Sequence, residues 1–272
     1  MPMELQAQEI PDISQNYTNC FSTNSRSFRM KQSAFYLIAE SIVISIHLLV
    51  FFTSRIVING FNNDLTQRSI VWCKLRQSFG TSFTLISLSI VCFATIDQYL
   101  STNYNPFLKQ LSTLKFARRL TCGAVIVWLA HGIPFIVFMK ILPVYGCTTY
   151  YDGFNTYVTY IYYLILSGLL PIVIMSIFAT LAYINVRRIV KSRIAIFRRR
   201  LDRQLTAMIL ARVAFLVAVT LPYIIDRIYI IQVQLTQIDP VQKATLQLAG
   251  AVAYSLFYLS YAVCYLTFCF CY

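Results

Sequence analysis

Residues 75–97 read LRQSFGTSFTLISLSIVCFATID, with no charged side chain between Arg76 and Asp97. About 20 such residues, each rising 1.5 Å in an α-helix, cross the hydrocarbon core of a bilayer. Similar apolar runs occur at about 34–58, 119–140, 158–185, 205–231 and 245–272. The sequence therefore predicts an all-α, polytopic membrane helix bundle with six apparent transmembrane helices, and residues 34–272 form this bundle.

The composition agrees with a membrane protein. Of the 272 residues, 58% are apolar and 12% are charged, whereas about 25% are charged in an ordinary soluble domain. The net charge of +13 does not indicate a nucleic-acid-binding patch, because the basic residues lie between apolar runs. Residues 1–33 are a polar N-terminal tail, and we expect no signal peptide, because the first apolar run is too long and too late for one.

The distribution of basic residues predicts the orientation in the membrane. Three lie in the tail (Arg26, Arg29, Lys31), four in the 98–119 loop and eight in the 187–203 loop, against seven in the segments of the opposite side. By the positive-inside rule, the tail and both basic loops are cytoplasmic. The sequon Asn16-Tyr17-Thr18 favours the reverse orientation, since glycosylation would need an extracellular tail.

No motif indicates an enzyme, a cofactor or a metal site. The chain has no His-Glu-x-x-His, G-x-S-x-G or P-loop pattern, and His47 and His131 lie in different runs. Glu40 and His47 share one face of the first run, where an ionisable group costs about 2.5–3.5 kcal/mol at the bilayer centre. We expect either that these two residues have a functional role or that the Glu40 side chain simply extends to the membrane surface.

The second run resembles the third helix of rhodopsin-like (class A) G-protein-coupled receptors. It begins with Trp72-Cys73-Lys74 and ends with Asp97-Gln98-Tyr99. In that family the outer Cys is bridged to a Cys of the next outer loop, and Cys147 is the Cys of the corresponding loop here. The resemblance implies a Cys73–Cys147 disulfide, which an oxidising extracellular side permits. Two unrelated thiols are the alternative.

The resemblance extends along the chain to a seven-helix receptor fold. Trp128 and Pro134 resemble the fourth helix, Pro171 the fifth, and Thr220-Leu221-Pro222 the sixth. The run that contains Ala34-Phe35-Tyr36-Leu37 resembles the second helix, so we expect a receptor that lacks the first one. The best likeness is to the peptide-receptor-like branch.

Three signatures of the family are altered. Gln98 replaces the Arg of Asp-Arg-Tyr, Val219-Thr220 replace Cys-Trp, and Tyr261-Ala262-Val263-Cys264-Tyr265 keeps only the tyrosine of Asn-Pro-x-x-Tyr. The resemblance implies a multi-pass plasma-membrane receptor that transmits ligand binding to a heterotrimeric G protein. The residues implied in coupling and switching are Asp97, Gln98, Tyr99, Asp202, Pro222 and Tyr265. Asp202 could instead only relieve repulsion among neighbouring arginines.

The extracellular ligand should contact residues one or two turns inside the bundle. These candidates are Thr81, Thr84, Tyr163, Ser167, Tyr223, Arg227 and Tyr254. Gly80 stands where aminergic receptors have Asp, and Ser255 where light receptors have the retinal Lys. We therefore expect a non-amine, uncharged ligand that is either peptide-like, such as a neuropeptide, or lipid-like. Arg227 and Asp226 at the rim suit a terminal carboxylate or cation. The tyrosines could instead form interfacial belts, which are common in membrane helices.

Two other functions stay open. A six-helix transporter or channel fits an even number of spans but should show internal repeats or paired intramembrane charges. A truncated receptor that does not signal fits the altered motifs. Membrane lipid is an expected partner in each case, since basic loops contact anionic headgroups.

Overall fold

The computed structural model describes residues 32, 35–61, 68–142, 146–191, 211, 213–229, 241, 245–246, 248–253, 255–257 and 259. Four of the described helices are long and apolar enough to cross a membrane: Phe35–Ile58, Ile70–Thr102, Leu114–Phe138 and Asp152–Arg188. The chain is thus an α-helical membrane protein, as its composition predicts. The last two predicted runs are described only in part, so six spans remain an expectation.

We label the elements in chain order. Helix α1 contains the apolar span Phe35–Ile58, π-helical at Leu48–Phe52 and followed by α-helical Thr53–Phe61. Helices α2 (Ile70–Thr102), α3 (Pro106–Leu111), α4 (Leu114–His131) and α5 (Ile133–Phe138) precede strands β1 (Met139–Leu142) and β2 (Gly146–Thr149). Helix α6 consists of Asp152–Thr156, a π-helical stretch Tyr157–Leu169 and Leu170–Lys191. Residues 213–229 form α7, and Leu248–Phe257 form α8.

Helix α2 is the centre of the described bundle. It packs against α4, α5, α6 and β1, and 61% of its most apolar stretch is buried, against 17% for that of Leu114–Phe138. Ser69 caps its start by accepting a hydrogen bond from the Trp72 N–H. Because several elements surround α2, residues at both of its ends can contact more than one helix.

Serines join α2 to α4 by a row of hydrogen bonds. Ser78 donates to the carbonyl of Gly132 and Ser82 to that of Trp128, each at 2.8 Å, and the indole N–H of Trp128 donates to Ser89 at 2.8 Å. A side chain at Gly132 would lie 2.6 Å from the Ser78 hydroxyl. The small residue therefore permits the close approach, as at other membrane helix interfaces.

Two prolines lie close to breaks in regular α-helix. The run at 119–140 is divided at Gly132, and Pro134 lies in the first turn of α5, where its missing N–H leaves no helical bond unmade. In α6 the π-helical stretch ends at Leu169, two residues before Pro171. Helical structure in the run at 119–140 ends at Phe138 rather than at Lys140.

A short β-hairpin departs from the all-α prediction. Strands β1 and β2 pair antiparallel, with Met139 opposite Thr149 and Leu142 opposite Gly146. Gly146 has φ of 68°, a conformation that favours glycine. The two strands lie at 139–142 and 146–149, and their pairing satisfies backbone groups that an irregular loop would leave to water.

The buried core forms clusters along α2. At one end, Leu85 packs with Phe135, Phe154 and Tyr162. Further along, Leu88, Val91 and Cys92 of α2 meet Met175 and Ala179 of α6 and Val213 and Leu216 of α7. Helix α7 therefore packs into the core near its own start, and its other end extends towards the first cluster.

Candidate functional site

The Cys73–Cys147 disulfide joins the first turn of α2 to β2. The two Cα atoms are 5.8 Å apart, and Cys73 is fully buried. This bridge confirms the pairing that the family resemblance implies. We call this part of the bundle the disulfide end, and the opposite part, which contains α3, the basic end. Lys109, Lys115, Arg118, Arg119, Arg187 and Arg188 are the described basic residues at or near that second end.

Three aromatic rings meet near the disulfide end, and we call them the aromatic junction: Tyr163, Tyr223 and Phe257. Tyr163 and Tyr223 have ring centroids 6.5 Å apart, and Tyr223 stacks on Phe257 at 4.5 Å. The rings come from α6, α7 and α8. Tyr163 and Tyr223, both predicted to contact the ligand, are thus brought together, whereas Tyr254 lies outside the described residues.

Next to the junction, α7 carries two adjacent charged residues. The guanidinium of Arg227 lies over the ring of Tyr223, 5.4 Å from its centroid, an arrangement that favours a cation electrostatically. Asp226 is adjacent in sequence, and its Oδ2 is buried with no hydrogen-bond partner among the described residues. The predicted ligand residue Arg227 therefore does lie beside Tyr223.

The predicted hydroxyl ligands are buried but bonded locally. Thr81 donates to the carbonyls of Gln77 and Ser78, Thr84 to that of Gly80 at 2.9 Å, and Ser167 to that of Tyr163 at 3.0 Å. Their exposed fractions are 4%, 8% and 4%. Their protons are thus used within their own helices, so only their lone pairs can serve a ligand.

A histidine that the sequence analysis did not select lies among aromatic rings. Nε2 of His131 is 2.7 Å from the Tyr157 hydroxyl, and its ring stacks on Tyr162. Trp128 and Phe135 pack on other sides of it. The sequence feature that could have identified His131 is spacing, since Trp128, His131 and Phe135 are three or four residues apart and share a helix face. Within the described chain, no group of three His, Cys, Asp or Glu side chains could hold a metal.

At the basic end, Asp97 connects α2 to the segment after α3. Ser112 Oγ donates to Asp97 Oδ1 at 2.6 Å, and the same hydroxyl lies 3.2 Å from Oε1 of Gln32. Asp97 itself is buried. Asp97 is a predicted switch residue, whereas Ser112 is not predicted, because contacts between separate helices leave no local sequence pattern.

The other predicted switch residues are in different surroundings. The Gln98 side chain is half-buried, and the backbone carbonyl of Gln98 accepts hydrogen bonds from the hydroxyls of Ser101 and Thr102. Tyr99 packs against Phe178 of α6 at 5.5 Å between ring centroids. Pro222 is exposed on α7, next to Tyr223. Asp202 and Tyr265 lie outside the described residues.

Comparison with known proteins adds no relative to this description. No protein-family model matches the chain, and no curated protein matches it.

Proposed function

We propose that this chain is a rhodopsin-like plasma-membrane receptor that binds an extracellular peptide-like ligand at its disulfide end and engages a heterotrimeric G protein at its basic end. The observation that carries the proposal is the Cys73–Cys147 disulfide. It joins the first turn of α2, the most buried of the long helices, to the hairpin that precedes α6. The same helix ends with Asp97-Gln98-Tyr99. The bridge and this tripeptide lie at opposite ends of one helix, as they do in the family that the sequence resembles.

Helix α7 offers a route between the two ends. Near the disulfide end its Tyr223 belongs to the aromatic junction, and nearer the basic end its Val213 and Leu216 pack against α2 and α6. A ligand that displaces Tyr223 would therefore bias the packing of the lower half of α7. This is a shift between two packings of one helix, and Pro222 lies between the two contact regions.

The basic end has the charge expected of a cytoplasmic face. Its basic residues satisfy the positive-inside rule and suit both anionic lipid headgroups and an acidic partner. Asp97 is held there by Ser112 rather than by an adjacent arginine. In the resting state, the Ser112–Asp97 hydrogen bond therefore links α2 to the segment between α3 and α4.

The test is nucleotide exchange by a panel of G proteins in membranes that contain the full chain. We would apply a panel of synthetic neuropeptides and compare wild type with Cys73→Ser at matched surface levels. A peptide that raises exchange in wild type, with a smaller effect in Cys73→Ser, supports the receptor function. Absence of exchange above empty membranes, in wild type and in Gln98→Arg, would contradict it and favour a receptor that does not signal.

A further inference from the structure

One side of α4 is basic at its start and apolar along the rest. Lys115, Arg118 and Arg119 are exposed in the first two turns of the helix. Cys122 and Ile126 are exposed further along the same side, since they follow Arg118 at spacings of four residues. The basic side chains therefore lie at the foot of an apolar strip, while the opposite side of α4 packs on α2.

The apolar strip is suited to contact with lipid. Only 17% of the most apolar stretch of Leu114–Phe138 is buried, and Ile126 and Ile133 are 68% and 57% exposed. Nothing lies within 4 Å of a Cβ built at Gly123 on the same helix. In a helix that crosses a membrane, such a surface lies against acyl chains. The headgroups of those lipids then lie beside the start of α4.

The three basic side chains have no counter-charge in this part of the chain. Residues 98–151 contain no Asp or Glu, and Lys115, Arg118 and Arg119 form no ion pair with any described residue. The first turn of α4 has no acidic residue either, so the cations face the positive end of the helix dipole unopposed. A bound anion would relieve both kinds of repulsion.

We propose that this side of α4 binds an anionic phospholipid of the cytoplasmic leaflet. Its headgroup phosphates would contact Lys115, Arg118 and Arg119, and an acyl chain would lie along Cys122 and Ile126. Three cations within two turns suit a phosphoinositide, which carries several phosphates, better than a lipid with a single phosphodiester. The inference goes beyond the proposed receptor function and requires of it only that the basic end is cytoplasmic.

The experiment is native mass spectrometry of the full chain in detergent micelles. The chain is titrated separately with phosphatidylinositol bisphosphate, phosphatidylserine and phosphatidylcholine that have identical acyl chains. Each bound lipid adds a resolved mass, so the dissociation constant of the first lipid is measured directly. We expect the phosphoinositide to bind about tenfold more tightly than phosphatidylserine, and phosphatidylcholine to bind most weakly, because basic clusters beside a membrane helix attract anionic headgroups.

Two double substitutions test the basic residues. Arg118→Gln/Arg119→Gln should weaken phosphoinositide binding about thirtyfold, the factor expected for the loss of two basic residues near an anionic surface. Arg118→Lys/Arg119→Lys keeps both charges and should retain most of the affinity. Because both side chains are exposed, thermal unfolding without added lipid should be alike in wild type and in both variants.

Arg187→Gln/Arg188→Gln is the matched control, because it removes an adjacent pair of exposed arginines from α6 at the same end of the bundle. It should leave phosphoinositide binding nearly unchanged. An equal loss in the α4 and α6 variants would overturn the proposal, since it would show that only the total charge of the basic end attracts lipid.

Two further outcomes would also overturn the proposal. Equal affinity for the three lipids would leave an acidic protein as the partner of these cations. Soluble inositol trisphosphate that binds as tightly as the whole lipid would show that the acyl chain contributes nothing, whereas we expect it to bind much more weakly. The assay contains no G protein, so a failure of the lipid site leaves the receptor function to be tested by nucleotide exchange.

Discussion

Ser112 donates a 2.6 Å hydrogen bond to Asp97 across the basic end of the bundle. Asp97 is in the last turns of α2, and Ser112 lies between α3 and α4. In the receptor family that the sequence resembles, the residue after this Asp is an arginine that pairs with it at rest. Here that position is Gln98, and the carboxylate is bonded to a hydroxyl from the following loop.

Ser112→Ala should therefore destabilise the protein. Asp97 would lose a charge-assisted donor while it remains buried, which costs about 1–3 kcal/mol of the free energy of unfolding. Thermal unfolding in nanodiscs would measure the loss. Thr180→Ala is the control, because the exposed Thr180 hydroxyl donates to a carbonyl of its own helix, that of Ser176, at 2.7 Å. Equal stability of the two variants would show that the Asp97–Ser112 bond contributes little.

Cys73→Ser should reduce stability and surface level. Loss of a native disulfide removes a restraint on the unfolded chain that is worth about 2–4 kcal/mol. Surface biotinylation and thermal unfolding would measure both effects. Cys122→Ser, which changes an exposed free cysteine on α4, should have little effect. Recovery of both Cys73 and Cys147 as alkylated free thiols from the native protein would contradict the bridge.

Gly132→Ala should destabilise the contact between α2 and α4. The new Cβ would lie 2.6 Å from the Ser78 hydroxyl and 2.7 Å from that of Ser82. Neither hydroxyl can move away without loss of its 2.8 Å bond to a carbonyl of α4 or of Gly132. We expect a cost of about 1–3 kcal/mol, measured by thermal unfolding.

Gly123→Ala is the matched control for that substitution. Nothing lies within 4 Å of a Cβ built at Gly123, and alanine favours a helix interior over glycine by about 0.5–1 kcal/mol. Gly123→Ala should leave stability unchanged or raise it. A similar loss in both variants would mean that helix composition, rather than the close approach at Gly132, governs the effect.

Gln98→Arg should strengthen coupling to a G protein. Arginine offers five donors and a permanent charge, whereas glutamine offers two donors and no charge, and a charge-assisted bond is stronger in a partly dehydrated interface. Nucleotide exchange at matched surface levels would measure the gain. Equal exchange by both forms, well above empty membranes, would show that the chain couples without this charge.

The N-terminal tail should be cytoplasmic. An epitope at residue 5 should be stained only after permeabilisation, because the basic residues of the tail and of the basic end retain their segments on that side. Asn16 should carry no glycan. A mass shift on glycosidase treatment that Asn16→Gln abolishes would reverse the orientation and exclude G-protein contact at the basic end.

The prediction of membrane helices needed only local information. Hydropathy over about 20 residues is a property of the chain itself, and four of the predicted runs match long apolar helices in the structure. Cys73 and Cys147 could be paired in advance only because the surrounding motifs resemble a known family. The β1–β2 hairpin was missed, since its strands are short and follow directly on an apolar helix.

The sequence alone determined that the chain enters the membrane as apolar helices, because transfer of apolar side chains from water to lipid depends on composition rather than on neighbours. Only the tertiary structure decided which polar groups meet. Helices α6, α7 and α8 had to pack before Tyr163, Tyr223 and Phe257 could form one junction. Likewise, Ser112 reaches Asp97 only after the chain turns back at α3. Hydropathy does not specify such a contact, because a hydrogen bond requires the donor–acceptor distance to be correct within a few tenths of an ångström.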